Sequence, residues 1–207
     1  MSVPLRHLIV MAKAPRLGRV KTRLAADIGA VAAAGFYRRT LTDVTRRLAG
    51  DTRWQTWLGV TPDRDIADDR LWPAGPDRIA QGTGDLGRRM TRLLTALPPG
   101  PAVLVGADIP AIRPGHIWDA FQALGRDDAV FGPAADGGYW LIGLARRRFA
   151  VRALTGHLFH AVRWSGPHAL ADTRANLPAG AEGPALVVLE DIDDAAAFAR
   201  FFAPVTG

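Results

Sequence analysis

The sequence contains no cysteine. This absence excludes thiolate zinc sites, iron–sulfur clusters, disulfide bonds and cysteine nucleophiles. The sequence also has no run of about 18 apolar residues, the minimum for a transmembrane helix. Near the amino terminus the apolar run covers only residues 8–12, which is too short for a secretory signal, and Lys13 follows it. We therefore expect a cytoplasmic protein with no membrane span.

Lysine and glutamate are also scarce, with two of each in 207 residues. The other basic residues are arginines, and the formal net charge is +6. A general arginine bias is a weak indication of nucleic acid binding, and no basic run alternates with aromatic residues as in single-strand-binding surfaces. We therefore expect no nucleic acid partner. Both lysines, Lys13 and Lys21, lie in one short segment, and this clustering requires a local explanation.

The remaining composition predicts an ordinary globular α/β protein. Hydrophobic residues make up 48% of the chain and charged residues 22%, and a length of 207 residues suits a single domain spanning residues 1–207. Apolar, β-branched runs alternate with segments whose apolar residues recur at helical spacing, which predicts a mostly parallel central sheet flanked by helices. The strands are predicted at 5–12, 52–60, 102–106, 129–132, 139–144 and 185–189, and the helices at 21–27, 31–48, 85–97, 114–124 and 194–202.

The first candidate site is segment 13–24, which follows the first predicted strand and leads into a helix. Five cations and one glycine occur within these twelve residues: Lys13, Arg16, Gly18, Arg19, Lys21 and Arg23. Positive charges this close repel one another unless an anion compensates them, and a helix amino terminus favours the same anion. We interpret the segment as a binding loop for a nucleotide di- or triphosphate, with a merely basic surface loop as the alternative. It is not a P-loop, because Val20 rather than glycine precedes Lys21.

The second candidate is Asp108, which follows the strand predicted at 102–106. A carboxylate at the carboxyl end of a strand suits Mg²⁺ or Mn²⁺, hard cations that bind one or two carboxylates together with substrate phosphates. The alternative is that Asp108 caps a turn. Gly106 stands two residues earlier, so no Asp-x-Asp pair occurs here, and Asp136 and Asp193 are the candidates for a second ligand.

The third candidate is the turn that precedes the strand predicted at 139–144. Asp136 can bind hydroxyl groups or a metal ion, and Gly137 and Gly138 allow a ligand to approach the backbone closely. Tyr139 can stack on a ring of the substrate. The alternative is a plain hairpin turn.

Residues 82–87 match the G-x-G-x-x-G pattern of dinucleotide-binding proteins, and Asp108 follows at about the expected distance. The segment before them, 77–81, is a weak strand pattern, so a nicotinamide-binding site is disfavoured. We favour a loop shaped by these glycines, Gly82 among them, that lies over the nucleotide, with Asp85 capping the next helix.

Taken together, these segments resemble a family of small bacterial glycosyltransferase-A-like proteins, described as nucleotide-diphospho-sugar transferase-like. The resemblance covers nearly the whole chain and rests on the following motifs in order: MAKAPRLGRVKTRLA, QGTGDLGRRM, GADIP, DGGYWLIGL, Trp164-Ser165 and DIDD. It implies a Rossmann-like sandwich, a nucleotide over the first loop and a metal at Asp108. We predict Asp193 as the second metal ligand and Trp164 and Ser165 as substrate contacts. A more distant similarity is to 2-phospholactate guanylyltransferase. Ala197 stands where such families often carry a further acid.

The sequence therefore predicts a transferase that depends on Mg²⁺ or Mn²⁺ and uses a nucleotide-activated substrate. Its partners are a nucleotide or nucleotide-sugar and a small-molecule acceptor. The favoured reaction is glycosyl transfer, with Lys21, Asp108 and Asp136 as catalytic residues. Nucleotidyl transfer from a nucleoside triphosphate to a phosphorylated small molecule is the alternative, and the missing Asp-x-Asp before the metal turn favours it. A nucleotide-binding regulator without catalysis is a third hypothesis.

Overall fold

The computed structural model describes residues 5–147 and 157–203, whose centre is a six-stranded sheet in the order β3-β2-β1-β4-β6-β5. β1 pairs in parallel with β2 and β4, β2 pairs in parallel with β3, and β6 runs antiparallel to both β4 and β5. The mostly parallel α/β architecture predicted from the sequence is therefore confirmed. The strands are β1 His7–Lys13, β2 Gln55–Thr61, β3 Asp77–Ala80, β4 Ala102–Gly106, β5 Ala129–Pro133 and β6 Tyr139–Leu144.

Helices cover the sheet, and local sequence explains where several of them begin. Pro114 occupies the first turn of its helix, where the missing N–H costs nothing. Asp85 and Asp194 each precede a helix and accept a hydrogen bond from a backbone N–H of its first turn, so the predicted cap at Asp85 is confirmed. The helices are α1 Thr22–Ile28, α2 Ala30–Ala49, α3 Leu86–Ala96, α4 Pro114–Ala123, α5 Ala169–Ala175 and α6 Ala195–Phe202, with a short 3₁₀ turn at Asp63–Asp65.

The hydrophobic core lies on both faces of the sheet. Leu8 and Val10 of β1 pack in the cluster that contains residues of α2 and α4, whereas Ile9 between them packs in the cluster that contains α3. Because successive side chains of a strand point to opposite faces, a strand buried on both faces needs a continuous apolar run. This requirement explains the uninterrupted apolar sequence of β1.

Four parallel strands place their following loops at one edge of the sheet. Along the strand register, Met11 of β1 pairs with Gly106 of β4, Lys13 with Thr61 of β2, and Val60 with Ala80 of β3. The segment after β1, residue Gln81 after β3 and Asp108 after β4 therefore start from the same edge. Ligands bind at this edge in open α/β sheets.

The prediction of a strand at 185–189 is wrong, because this segment does not form a regular strand of the sheet. Residues 182–189 run beside β5 and donate to it from the backbone N–H groups of Gly183, Leu186 and Leu189. They form only isolated bridges, one between Ala129 and Glu182 and one between Ala134, just after β5, and Leu189. The donors of this segment are three residues apart, whereas a regular ladder uses every second residue, and the Val187 carbonyl accepts from Trp140 Nε1. Within residues 5–147 and 157–203, no helix combines the length and hydrophobicity needed to cross a bilayer.

His7, in β1, makes the stability of the fold depend on pH. The imidazole is buried and accepts a hydrogen bond from Trp57 Nε1 at 3.2 Å. Burial lowers the pKa of His7, and the nearby charge of Arg146 adds to this effect, which the Pro99 carbonyl only partly opposes. The unfolded chain therefore binds a proton more readily, so stability falls as the pH drops below about 6.5.

We expect the wild type to lose stability between pH 7.5 and 5.5 with a steeper slope than His7→Leu. The extra slope is at most about 1.4 kcal/mol per pH unit, the limit for a single proton. Denaturant unfolding at several pH values measures it, and a change of baseline stability in the variant does not affect a comparison of slopes. Parallel curves for the two proteins would show that His7 carries its proton equally in both states.

Candidate functional site

Lys21 lies at the centre of the candidate site. It is the residue before α1 and adopts the left-handed conformation, with φ 47° and ψ 47°. Its side chain is only 4% exposed, and Nζ donates to Asp108 Oδ2 at 2.8 Å and to Asp193 Oδ1 at 2.6 Å. The two predicted metal ligands, Asp108 and Asp193, therefore meet at one buried ammonium group.

Asp108 reaches this position because of the glycine two residues before it. A Cβ built on Gly106 would lie 2.9 Å from Asp108 Oδ1, closer than real Cβ contacts allow. Ala107 N donates to the Met11 carbonyl, which ties the chain to β1 as β4 ends. The glycine that removes an Asp-x-Asp pair thus makes room for the carboxylate of Asp108.

Asp191 and Asp193 flank Ile192. The two carboxylates belong to the acidic cluster, whereas the side chain of Ile192 packs in the hydrophobic core. Ile192 is buried in a cluster with Leu24 and Phe36. Carboxylate oxygens of Asp108, Asp191 and Asp193 lie within 4.8 Å of one another. Asp193 was predicted as a metal ligand, whereas Asp191 was missed, although its place in the final Asp-Ile-Asp was a usable signal.

The charges in this cluster are strongly coupled. Burial and the negative charges of Asp193 and Asp108 raise the pKa of Asp191 to about 6, against the opposing effect of Lys21. Burial also acts to raise the pKa of Asp193, but Lys21 and Arg23 outweigh it, so the pKa is lowered. Burial alone would lower the pKa of Lys21, whereas Asp108 and Asp193 together raise it. The single positive charge of Lys21 therefore balances only part of the negative charge of Asp108, Asp191 and Asp193.

A cleft of about 370 Å³ opens beside Lys21 at the carboxyl edge of the sheet. Tyr37 of α2 lines it and fixes the end of β1, because its hydroxyl accepts from Lys13 N at 2.9 Å and donates to Lys13 O at 3.0 Å. Burial raises the pKa of Tyr37, so the hydroxyl stays protonated. The cleft is lined by four cations, Lys13, Arg19, Lys21 and Arg23, and by Met11, Ala12, Val20, Thr22, Tyr37, Thr61, Gln81, Ala107, Asp108 and Asp193.

A second cavity of about 150 Å³ has Asp108 in common with the cleft. Asp136 lines it, and Asp136 Oδ1 accepts from Gly138 N at 2.9 Å, which forms the predicted tight turn. Tyr139 and Asp191 also line the cavity, and the negative charge of Asp136 contributes to the raised pKa of Asp191. The carboxylates of Asp108 and Asp191 therefore border this cavity, and that of Asp108 borders the cleft too.

Two residues of the predicted nucleotide loop lie apart from the cleft. The guanidinium of Arg16 donates to both carboxylate oxygens of Asp65, at 2.8 and 2.9 Å. Gly18 adopts a positive φ of 68° and has open space around it. Their nucleotide contacts stay predictions, and in this structure the charge of Arg16 is matched by a protein carboxylate. Arg23, by contrast, donates to Asp193 Oδ2 at 2.8 Å and remains 80% exposed.

The other predicted binding residues have structural neighbours of their own. Gly82 donates its N–H to Asp63 Oδ1 at 2.9 Å, and Asp85 caps α3. Trp164 packs against Gly87, where a Cβ would lie 3.0 Å from the indole. Ser165 is exposed, with φ 64°.

At Gly137, one of the predicted substrate residues, a Cβ would lie 2.5 Å from the Pro167 carbonyl oxygen, and this contact explains the requirement for glycine. Substrate contacts of Gly137, Gly138, Tyr139, Trp164 and Ser165 stay predictions. Gln81 and Tyr37, which line the cleft, were not predicted as site residues.

Solved structures confirm the resemblance inferred from the motifs. A protein from Desulfovibrio desulfuricans G20, described as a "putative nucleotide-diphospho-sugar transferase", is 26% identical and superposes with a TM-score of 0.87 over 98% of this chain and 88% of its own. The synthetase for CMP-2-keto-3-deoxy-manno-octonic acid, solved with CTP, is 12% identical, with a TM-score of 0.60 over 95% and 96%. Glucosyl-3-phosphoglycerate synthase from Mycobacterium tuberculosis, solved with Mn²⁺ and UDP, is 11% identical, with a TM-score of 0.56 over 91% and 71%.

At these identities the last two structures show a common fold, the glycosyltransferase-A-like arrangement of sheet and helices. A sequence search of curated proteins finds no match. The profile of one bacterial family, in contrast, matches residues 44–166, which is more than half of the chain and includes β2 to β6, Asp108 and Asp136. The chain belongs to this family, whose description is "Uncharacterized protein conserved in bacteria (DUF2064)".

Proposed function

We propose that the protein is a divalent-metal-dependent transferase that acts on a nucleotide-activated substrate, with glycosyl transfer from a nucleotide-diphospho-sugar as its reaction. The observation that carries the proposal is the set of Asp108, Asp191 and Asp193 around Lys21, at the mouth of a cleft lined by cations. Carboxylate oxygens within 4.8 Å of one another are hard ligands and suit Mg²⁺ or Mn²⁺.

The charges of the cluster fit a bound divalent ion. The three carboxylates carry −3, and Lys21 and Arg23, which both contact Asp193, carry +2. The cluster therefore keeps a negative charge that attracts a divalent ion, and the ion leaves one positive charge for a substrate phosphate. A bound ion would stabilise negative charge on the departing nucleoside diphosphate. Lys13 and Arg19 also line the cleft, and Lys21 Nζ would donate to a phosphate oxygen from a position already fixed by Asp108 and Asp193.

The second cavity suits the acceptor. It adjoins the cleft through Asp108, so an acceptor there lies next to the charged cluster. Asp136 would orient an acceptor hydroxyl by accepting its hydrogen bond, while its Oδ1 stays fixed by Gly138 N. Positioning of two reactants in adjoining cavities can lower the barrier by about 7–11 kcal/mol relative to solution.

Nucleotidyl transfer is the second candidate, in which a nucleoside triphosphate donates its monophosphate and pyrophosphate leaves. The observation that favours it is the origin of the acidic cluster. Only Asp108 comes from the turn after β4, and the other two carboxylates come from the distant segment 191–193. The cations of the cleft would then stabilise the transferred phosphoryl group and the leaving pyrophosphate.

Thermal unfolding with nucleotides and metals tests the proposal. We expect nucleoside diphosphates or nucleotide-sugars at about 100 times their dissociation constant to raise the melting temperature by about 5–10 °C in Mn²⁺ or Mg²⁺. The shift should be much smaller in EDTA, because the carboxylates then repel the phosphates.

The products distinguish the two candidates once the binding nucleotide is found. Release of nucleoside diphosphate from a nucleotide-sugar supports glycosyl transfer, and release of pyrophosphate from a triphosphate supports nucleotidyl transfer. Stabilisation without turnover over a broad acceptor panel would leave the regulator hypothesis. A melting temperature that no nucleotide changes, with or without metal, would contradict the proposal.

A further inference from the structure

Gln81 is a buried polar residue at the far end of the cleft. It follows β3 directly, is only 3% exposed, and lines the cleft together with Lys21 and Asp108. A polar side chain this buried normally has all of its hydrogen-bonding groups satisfied within the protein. Gln81 satisfies all but one.

The side-chain amide nitrogen of Gln81 is fixed by two backbone carbonyls. Nε2 donates to Gly59 O at 2.8 Å and to Ala12 O at 3.1 Å, which uses both of its hydrogens. Both partners are carbonyl oxygens, so an exchange of Oε1 and Nε2 would place Oε1 against two other acceptors. The orientation of the amide is therefore fixed. The backbone N–H donates to Val60 O, and the backbone carbonyl accepts from Arg92.

The remaining atom, Oε1, has no hydrogen-bond partner among residues 5–147 and 157–203. Oε1 is not completely enclosed by protein, and the residue that carries it lines the cleft. Gln81 therefore presents one rigidly oriented acceptor to whatever occupies this end of the cleft.

The position of Gln81 relative to the acids sets which part of a nucleotide it meets. In the sheet order β3-β2-β1-β4, three strand spacings separate β3 from β4. Strands lie about 4.8 Å apart, so the residues that follow β3 and β4 are roughly 14 Å apart. A nucleotide whose phosphates bind at Lys21 and the acidic cluster can extend along the cleft and place its base at Gln81.

We propose that Gln81 is the residue that selects the nucleobase, and that it selects a base whose edge presents an N–H group to Oε1. This inference rests on the proposed nucleotide site and names the recognition chemistry at its base end. A base without an N–H at that position leaves the buried acceptor unpaired, which weakens binding by roughly ten- to a hundredfold. Because two carbonyls hold Nε2 in place, the side-chain amide of Gln81 cannot turn round to donate to a base that presents an acceptor at that position.

The first test uses the unaltered protein. Dissociation constants are measured in Mn²⁺ for the diphosphates of adenosine, guanosine, cytidine and uridine, and then for base-methylated analogues of the tightest one that lack an edge N–H. We expect at least tenfold preference among the four bases and loss of that preference in one analogue. Equal affinities for all four, or for the parent and all its analogues, would overturn the role of Gln81 while the nucleotide site stands.

The second test uses Gln81→Met, which keeps the side-chain length and removes the acceptor, with exposed Gln122→Met as the matched control. We expect Gln81→Met to bind the four diphosphates within about threefold of one another and inorganic tripolyphosphate as the wild type does. An unchanged order of base preference would overturn the proposal. Failure of every nucleotide to bind the wild type would overturn the proposed function as well, and if the variant does not fold, the analogue series still decides.

Discussion

Asp108→Asn is expected to abolish metal-dependent nucleotide binding, weakening it by about 100-fold or more, with little change in the fold. Loss of a partner that merely orients a metal ligand already costs about 10- to 100-fold in metal affinity, and Asp108 is proposed to be a ligand itself. Asparagine preserves the shape of the side chain but removes the negative charge. It also leaves Lys21 with one carboxylate partner, Asp193, instead of two.

The matched control is Asp119→Asn, which removes the same charge from an exposed position on α4. Titration calorimetry with Mn²⁺, followed by nucleoside diphosphate, measures the two binding steps separately for each variant. Because Asp108 borders both the cleft and the second cavity, turnover should fall at least as far as binding. Wild-type Mn²⁺ and nucleotide affinities in Asp108→Asn would remove this carboxylate from the metal site.

Much of the fold could be predicted because burial on both faces of a parallel sheet leaves a strong local pattern. The strand predicted at 102–106 is found as Ala102–Gly106, and its apolar run is as short as the strand itself. The segment 185–189 has a similar run but lies beside β5 without regular pairing. Apolar composition indicates that a segment is extended and covered, whereas regular pairing also requires a donor at every second residue, and here Gly183, Leu186 and Leu189 donate at intervals of three.

The centre of the site could also be predicted, because the fold rule and the residue types agree. Lys21 and Asp108 are 87 residues apart, but they follow neighbouring parallel strands, and loops after such strands meet at one edge. The 2.8 Å contact between Lys21 Nζ and Asp108 Oδ2 places them at the same end of the sheet, as the nucleotide hypothesis requires.

The partners of the other residues could not be predicted, since they depend on long-range contacts. Arg16 is one of five cations in the first loop, and nothing local indicates that Asp65, 49 residues away, matches its charge. Asp191 was missed because two acids at alternate positions, Asp191 and Asp193, become a ligand pair only when Ile192 is buried between them. Gln81 became a candidate only when its two carbonyl partners were known.

Lys21→Met is expected to have opposite effects on metal binding and nucleotide binding. Without metal, the variant leaves three neighbouring carboxylates without their buried counter-ion. Removal of one partner of a buried ion pair costs about 3–5 kcal/mol, and the roughly one-third exposure of Asp108 and Asp193 reduces this to about 2 kcal/mol. The melting temperature in EDTA should therefore fall by about 4–8 °C for a chain of this length.

A divalent ion should restore more stability to Lys21→Met than it adds to the wild type, because it binds carboxylates that no ammonium group occupies. Nucleoside diphosphate should stabilise Lys21→Met less than the wild type, because the variant lacks a hydrogen-bond donor to the phosphate. We expect its affinity for the diphosphate to fall by about 10- to 100-fold. Lys21→Arg is the matched control, because it keeps the charge at the same left-handed position. Equal metal-induced shifts in the wild type and Lys21→Met would mean that Lys21 does not compete for these carboxylates. Unchanged nucleotide affinity would mean that the ammonium group serves the fold alone, so the two measurements separate the structural role of Lys21 from its proposed role in the cleft.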